Sequence, residues 1–285
     1  MAELLKGAPV AAEINAATAA RAAELEARGT VPTLAILRVG EGKADIAYER
    51  SAMKRCAAVG VAVKNVVLPE NVSQAELIEQ ITLLNADRSV HGVLMFSPLP
   101  KHLDEESARR ALLPEKDVDG VTDGSLGSVM SGSGNGFPPC TAQACMEILD
   151  YYGIKAEGKR ACVIGRSLVV GKPAALMLTA KNATVTLCHT KTEDLPLIAR
   201  NSDIIIAAVG RAGVVGEEYF REGQTVIDVG INVTEDGGIT GDCDMNAAED
   251  KVSSITPVPG GVGAVTTAVL VSHTVTAAER VFDKE

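Results

Sequence analysis

Two hydrophobic rhythms alternate along the first hundred residues. Residues 8–28 read as a helix, whereas TLAILRV (33–39) runs apolar almost without interruption, as a strand buried on both faces does. Residues 43–59 return to the helical rhythm and stop at Gly60, and VAVKNVVLP (61–69) is the next strand. Ser73 and Glu76 then form a capping box ahead of Leu77, Ile78, Ile81 and Leu84, whose spacing marks one helix face. HGVLMF (91–96) is a further strand, ended by Ser97-Pro98-Leu99-Pro100 because proline has no N–H to give a ladder. Helix and strand in alternation is the pattern of β-α-β units on a parallel sheet.

Residues 116–140 are dense in Gly, Ser and Pro and read as a loop-rich boundary. Thr141 is placed to cap a helix over 142–152 that leads into a second lobe. Four apolar runs follow, RACVIG (160–165), ATVTLCH (183–189), DIIIAAVG (203–210) and TVIDVGI (225–231), again suited to a covered parallel sheet. A last helix, about 265–281, follows PVPGGVGAVTT and is expected to pack back on the first lobe. The fold class is α/β in two lobes: residues 1–140 with 265–285, and residues 141–264 as a Rossmann-like, doubly wound parallel sheet.

Composition narrows the partners. A chain of 285 residues, 46% hydrophobic, can fill two cores, and its net charge of −10 excludes nucleic acid as the main partner. Six cysteines show no C-x-x-C pair and no histidine spaced to complete a zinc site, so they read as reduced, buried thiols and no metal is expected. The alanine-rich amino terminus is broken by Glu3, Glu13 and Glu24, and no apolar run reaches spanning length; the expectation is a cytoplasmic protein off the membrane. With no Trp, four Tyr and four Phe, each Tyr merits inspection.

The chemistry concentrates at strand ends. Strand RACVIG runs into Gly165-Arg166-Ser167-Leu168-Val169-Val170-Gly171 and then a helix, the geometry that presents backbone N–H groups to a phosphate. The second glycine is displaced from a strict G-x-G-x-x-G, and alone the segment serves equally well as a tight βα turn. Cys188-His189-Thr190-Lys191-Thr192 ends the next strand with hydroxyl and basic groups and no acid to grip two free ribose hydroxyls, so a 2′-phosphate could be accommodated. Ala208-Val209-Gly210 and Asp228-Val229-Gly230-Ile231-Asn232 end two more strands with small residues that let a ligand approach the backbone. Tyr48, early in its helix, and the paired carboxylates of Lys116-Asp117-Val118-Asp119-Gly120 read on their own as packing and turn chemistry. Pro and Gly crowded into Thr256-Pro257-Val258-Pro259-Gly260-Gly261-Val262-Gly263 fix an unusual backbone path, for which close ligand approach is a reason. His91, His102 and His273 have no evident partners and read as structural or exposed.

Taken together and in order, VG-x6-Y (39–48), SPLP (97–100), KDVDG (116–120), PPCT (138–141), GRSLVVGKP (165–173), CHTKT (188–192), AVG (208–210), IDVGIN (227–232) and TPVPGGVG (256–263) resemble the bifunctional methylenetetrahydrofolate dehydrogenase/methenyltetrahydrofolate cyclohydrolases over essentially the whole chain. The resemblance implies a folate-binding first lobe and a nicotinamide-nucleotide-binding second lobe. Residue by residue, it implies that Tyr48 stacks near the p-aminobenzoyl ring of a tetrahydrofolate substrate and Asp119 hydrogen-bonds its pterin. Pro259 and Gly260 would line the folate site, and Gly165, Arg166, Ser167, Thr190 and Ile231 would hold the cofactor. NADP is the expected cofactor, with NAD as the alternative, and a homodimer the expected assembly.

Two positions depart from the family. Where bifunctional members carry a lysine one helical turn after the tyrosine, this chain has Ala52, and Phe96 stands where they carry a glutamine. Lys54 lies about 200° around the helix from position 52, and Arg55 is a turn too far with a poor proton-transfer group. Hydride transfer needs alignment more than an acid or base, whereas opening the methenyl cation needs water attack and proton transfer. The expectation is therefore a dehydrogenase with weak or absent cyclohydrolase activity. Two rivals are a non-catalytic nucleotide- or folate-binding regulatory protein on the same fold, and a hydroxy- or amino-acid dehydrogenase, which would want a catalytic His or Lys at a strand end.

Overall fold

The structure, a computed structural model, describes residues 1–283, with Lys43 and Ala44 described in backbone only. The chain opens with β1 (Glu3–Leu4), α1 (Gly7–Ala27), β2 (Thr33–Val39), α2 (Lys43–Ala58), β3 (Ala62–Leu68), α3 (Gln74–Ala86) and β4 (Gly92–Met95). It continues through α4 (Glu105–Ala111), α5 (Asp123–Ser131), α6 (Cys140–Tyr151), β5 (Arg160–Ile164), α7 (Gly171–Ala180), β6 (Thr184–Cys188), α8 (Leu195–Arg200) and β7 (Ile204–Ala207). It closes with β8 (Thr225–Asp228), β9 (Asn232–Val233), β10 (Ile239–Thr240), α9 (Met245–Glu249), β11 (Ser254–Ile255) and α10 (Val262–Phe282).

These elements form two compact units. One comprises Glu13–Pro139 and the chain from Thr267 onward; the other comprises Met1–Ala12 with Cys140–Thr266. In the first, β2 is flanked by β3 and β4 in a parallel sheet of order β3-β2-β4. Residues 34–37 of β2 are all buried, which is why this strand reads as a continuous apolar run. Leu77, Ile81 and Leu84 of α3 pack with Ala35, Leu37, Val93 and Met95, and the capping box at Ser73 and Glu76 closes the start of that helix.

The second unit is built on a six-stranded parallel sheet of order β1-β11-β8-β7-β5-β6. From β5 the chain moves outward to β6 and then returns to the other side of β5 to make β7. That reversal is a topological switch point, and it opens a crevice at the carboxyl ends of β5 and β7. Ile205 and Ala207 of β7, Cys162 and Ile164 of β5, Val226 and Ile255 pack one face of the sheet.

Three boundaries differ from those expected. The first twelve residues, assigned by sequence to the first lobe, belong to the second unit, because β1 pairs with β11 and Gly7 N–H donates to the Gly260 carbonyl at 2.8 Å. The Gly- and Ser-rich stretch read as loop contains α5, started by the Thr122 hydroxyl accepting from Ser125 N–H and ended by Gly132 at φ +67°. The next helix begins at Cys140, so Thr141 lies inside it and does not cap it.

Thr122 is buried, and its hydroxyl accepts from Ser125 N–H at 3.1 Å. Thr122→Ala should therefore cost roughly 1–2 kcal/mol, read as a lower denaturation midpoint, while Thr122→Ser should recover most of it. An alanine variant as stable as the parent would show that α5 does not depend on its cap.

Candidate active site

In the unit built on β3-β2-β4, the segment 116–120 leaves the sheet through a bridge between Val93 and Asp117. The side chains of this motif divide sharply. Asp117 is fully buried and accepts from the N–H groups of Val121 (3.1 Å) and Thr122 (2.7 Å), so its charge is spent on the turn. Lys116 is buried too, its ammonium donating to the carbonyls of Leu84 (2.8 Å) and Asp87 (2.6 Å). Asp119 is half-buried at the end of the segment. Gly120, at φ +72°, fixes the exit, since a side chain there would strike the backbone of Pro138 and Pro139.

A histidine holds this segment from α10. His273 Nδ1 donates to the Val118 carbonyl at 2.9 Å, and its ring lies 5.0 Å from that of Phe137 at 34°. Desolvation pushes His273 down to about 4, so the ring is neutral and Nδ1 carries the proton the carbonyl accepts. His91 and His102 are likewise tied to backbone, His91 Nδ1 accepting from Thr33 N–H and His102 Nε2 bonding the Val72 carbonyl.

Tyr48 projects from α2 with 38% of its surface exposed, and its ring meets the edge of Phe96 at 5.6 Å and 63°. The structure thus brings together the tyrosine and one of the two departures noted from sequence. Ala52, one turn on, is fully buried, and Lys54 is exposed. Glu49 is buried in an ion pair with Arg38 (2.8 Å) and accepts from Asn65 Nδ2 (3.2 Å), which leaves it committed to structure.

At the switch point of the other unit, Gly165 at φ +123° passes so close to β7 that a Cβ would collide with the Ala208 carbonyl, and a Cβ on Gly171 would collide with the Gly165 carbonyl. Only glycine permits this packing, and the open backbone it leaves is a cradle for phosphate. A cavity of about 790 Å³ adjoins it, lined by Gly165, Arg166, Ser167, Thr190, Ala208 and Arg211 among others. Its size lies within the range of small-molecule sites, and its lining fits a dinucleotide. His189 N–H donates to Thr192 Oγ1 (2.9 Å), and His189 Nδ1 accepts from Lys191 N–H (3.1 Å), which orders the end of β6 against the cavity. As read from sequence, β6 ends without an acid, but Asp194, at the start of α8, brings a carboxylate to the same cavity.

Sequence reading missed Arg211 and two buried carboxylates. Asp242 accepts from the N–H groups of Val209 (2.5 Å), Gly210 (2.9 Å) and Arg211 (2.9 Å) and from Asn232 Nδ2 (2.9 Å). Asp228 accepts from Gly230, Asp242 and Cys243 N–H (2.9, 3.0 and 2.9 Å), and burial, with the Asp242 charge adding to it, raises its pKa above the ordinary range. Arg211 was visible as the residue after AVG; nothing local marks Asp242, whose partners lie 10 to 33 residues away. Ile231 is 65% exposed, and its Cδ1 lies 3.6 Å from where a Cβ on Gly263 would be, so it is brought beside the proline-glycine segment. In that segment Pro259 and Gly260 are exposed, the Val258-Pro259 bond is cis, and a Cβ on Gly7 would run into the Gly261 carbonyl. Among the described residues no cluster of three or more His, Cys, Asp or Glu could hold a metal, and the six cysteines are buried and form no disulfide.

A glycine cradle at the switch point of a parallel sheet defines a dinucleotide-binding protein, here coupled to a second α/β unit. The family models agree: "Tetrahydrofolate dehydrogenase/cyclohydrolase, catalytic domain" matches residues 5–119, and the "NAD(P)-binding domain" of the same family matches residues 139–282. The chain belongs to the tetrahydrofolate dehydrogenase/cyclohydrolase family. It is 52% identical over 281 residues to the bifunctional protein FolD of Carboxydothermus hydrogenoformans, covering 98% of each chain. The FolD methylenetetrahydrofolate dehydrogenase/cyclohydrolase structure from Campylobacter jejuni matches with TM-score 0.95 and 40% identity, over 98% of this chain and 99% of that one. The Trypanosoma brucei enzyme, solved with NADP and an inhibitor, matches with TM-score 0.90 and 36% identity, over 98% of each chain.

Asp242→Ala would strip the acceptor from four donors, each worth about 1–3 kcal/mol when left unsatisfied, so a loss of at least ~3 kcal/mol is expected in chemical denaturation. Unchanged stability would mean that water or another group takes over those donors. His273 predicts a pH slope. Its pKa is depressed from 6.5 to about 4, so the unfolded chain binds the proton more readily, and the contribution to stability is present above pH 6.5 and lost as pH falls towards 4. His273→Asn should flatten that part of the stability profile in thermal melts across the interval; an identical profile in the variant rules the histidine out.

Proposed function

We propose that this chain oxidises 5,10-methylenetetrahydrofolate to 5,10-methenyltetrahydrofolate, with NADP as the cofactor and tetrahydrofolate as the one-carbon carrier. The observation that carries the reading is the glycine-walled cavity at the switch point, lined by Arg166, Ser167 and Thr190 in a chain of this family. Gly165, Arg166, Ser167, Thr190 and Ile231 hold the dinucleotide, which when bound supplies the acceptor for a hydride. Tyr48 stacks on the p-aminobenzoyl portion of the folate, Asp119 hydrogen-bonds the pterin, and Pro259 and Gly260 lie against the substrate. The folate nitrogen lone pair expels the hydride as the methenyl cation forms, so these residues contribute orientation and exclusion of water. The protein works in the cytoplasm as a homodimer; β6, the last strand of the six-stranded sheet, offers an open edge with Leu187 exposed on it. No described helix is long and apolar enough to cross a membrane.

The second activity of the family, hydrolysis of 5,10-methenyl- to 10-formyltetrahydrofolate, is weak or absent in this chain. Water attack on the methenyl cation requires a group that takes and returns a proton, and such a group contributes about 10²–10⁴-fold. Position 52 offers a buried methyl, and position 96 an aromatic ring packed on Tyr48. Lys116 does not substitute, since its ammonium is turned to the Leu84 and Asp87 carbonyls.

Loss of methenyltetrahydrofolate absorbance at the buffer rate, alongside NADP reduction from methylenetetrahydrofolate, is the expected result. The paired substitutions Ala52→Lys and Phe96→Gln should raise hydrolysis by about 10²-fold or more if the proton-transfer group is what is lacking. Parent protein that hydrolyses the methenyl compound well above the buffer rate would falsify the single-activity reading and leave the dehydrogenase untouched.

A further inference from the structure

Five arginines lie between residues 140 and 266: Arg160, Arg166, Arg200, Arg211 and Arg221. Three are tied down. Arg160 and Arg221 pair with Asp203 at 3.8 and 2.8 Å, and Arg200 donates twice to the Glu218 carbonyl, at 2.9 and 2.6 Å. Arg166 and Arg211 make no side-chain hydrogen bond or ion pair among the described residues, and both line the cavity at the switch point.

Their convergence is enforced by backbone. Arg166 follows Gly165, which is packed against Ala208, and Arg211 stands three residues after Ala208. The path of that second segment is fixed because Asp242 binds the N–H groups of residues 209, 210 and 211 in succession. Two guanidinium groups around one cavity repel each other unless an anion lies between them. Asp194 is the one acid lining the cavity, and it forms no ion pair with either arginine. The site therefore retains cationic character, with Thr190 beside it in the lining. Guanidinium forks match phosphate oxygens in pairs, so the complementary ligand is a phosphate of more than single charge.

We infer that Arg211 is a specificity-determining residue that, with Arg166, grips the ribose 2′-phosphate by which NADP differs from NAD. This rests on the cavity being the cofactor pocket. Arg166 comes from the end of β5 and Arg211 from the end of β7, so two separate strands of the sheet contribute one group each. Asp242 acts as a positioning residue, through the backbone that carries Arg211.

The test is calorimetric and needs no turnover: titrate the intact protein with adenosine 2′,5′-bisphosphate, which carries the ribose phosphate, and with ADP, which carries the pyrophosphate without it. Arg211→Gln should weaken the bisphosphate at least about tenfold, as loss of one charge-assisted contact does, and change ADP less than about twofold. Arg211→Lys, which keeps the charge without the fork, should fall between. Equal weakening of both nucleotides would assign Arg211 to the pyrophosphate and overturn the inference, as would no effect from Arg211→Gln while Arg166→Gln weakens the bisphosphate. If the parent protein binds neither nucleotide, or Arg166→Gln also changes nothing, the reading of the cavity itself fails. Circular dichroism of each variant, matched to the parent, separates these outcomes from misfolding.

Discussion

The nucleotide-side architecture depends on a buried carboxylate. Asp242 gathers three consecutive backbone N–H groups after β7 and one side-chain amide after β8, and Asp228 gathers three more, including the N–H of Asp242 itself. Loops at the carboxyl edge of a parallel sheet have no ladder to close their hydrogen bonds, and burying them without partners would cost several kcal/mol. A charged acceptor with room for four donors solves this within a single residue. The cost is a second carboxylate nearby: burial raises the pKa of Asp228, and the Asp242 charge adds to it. Asp228 tolerates its position because three N–H dipoles point at it.

Consuming those donors also shapes what remains for a ligand. The loop after β7 turns its N–H groups inward to Asp242, so recognition on that side falls to the Arg211 side chain. On the β5 side the glycine turn brings backbone to the cavity wall, although the N–H groups of Gly165, Val170 and Lys172 are bonded within the protein. A chain with net charge −10 can therefore carry a pocket lined by two arginines, because anion binding depends on groups within a few ångströms and surface charge is screened over about 10 Å. The other three arginines of that unit are bonded within the protein, two to Asp203 and one to the Glu218 carbonyl, which sharpens the contrast.

On the folate side the same economy of polar groups appears in a different form. In the KDVDG segment, Lys116 and Asp117 are locked into backbone hydrogen bonds and His273 braces Val118, so the motif is mostly scaffold around Asp119. The helix carrying Tyr48 presents the Ala52 methyl, and the Phe96 ring beyond β4 packs on that tyrosine. Hydride transfer tolerates that exchange because its requirement is geometric. In the single-activity reading proposed above hydrolysis does not, since no amount of alignment replaces a group that exchanges protons.

Much of this was legible in the chain. Periodicity located β2 through β8 and the long helices, since a strand covered on both faces must be apolar throughout and an amphipathic helix must repeat every three to four residues. The capping box at Ser73, the glycine turn at Gly165 and the replacement of an ionisable side chain by Ala52 are local facts, and sequence determines local facts. It did not reveal that residues 1–12 join the second unit, because β1 is two residues long and is a strand only by virtue of β11, some 250 positions away. Nor did it reveal α5, where a single buried threonine cap outweighs a composition of Gly and Ser. Asp242 and Arg211 escaped for the same reason, as did the partner of His273, a histidine read from sequence as structural or exposed. What each does is set by groups brought within 3 Å of a carboxylate or ring nitrogen, or by the lack of a partner for a guanidinium among the described residues, and those distances exist only after the sheet has closed.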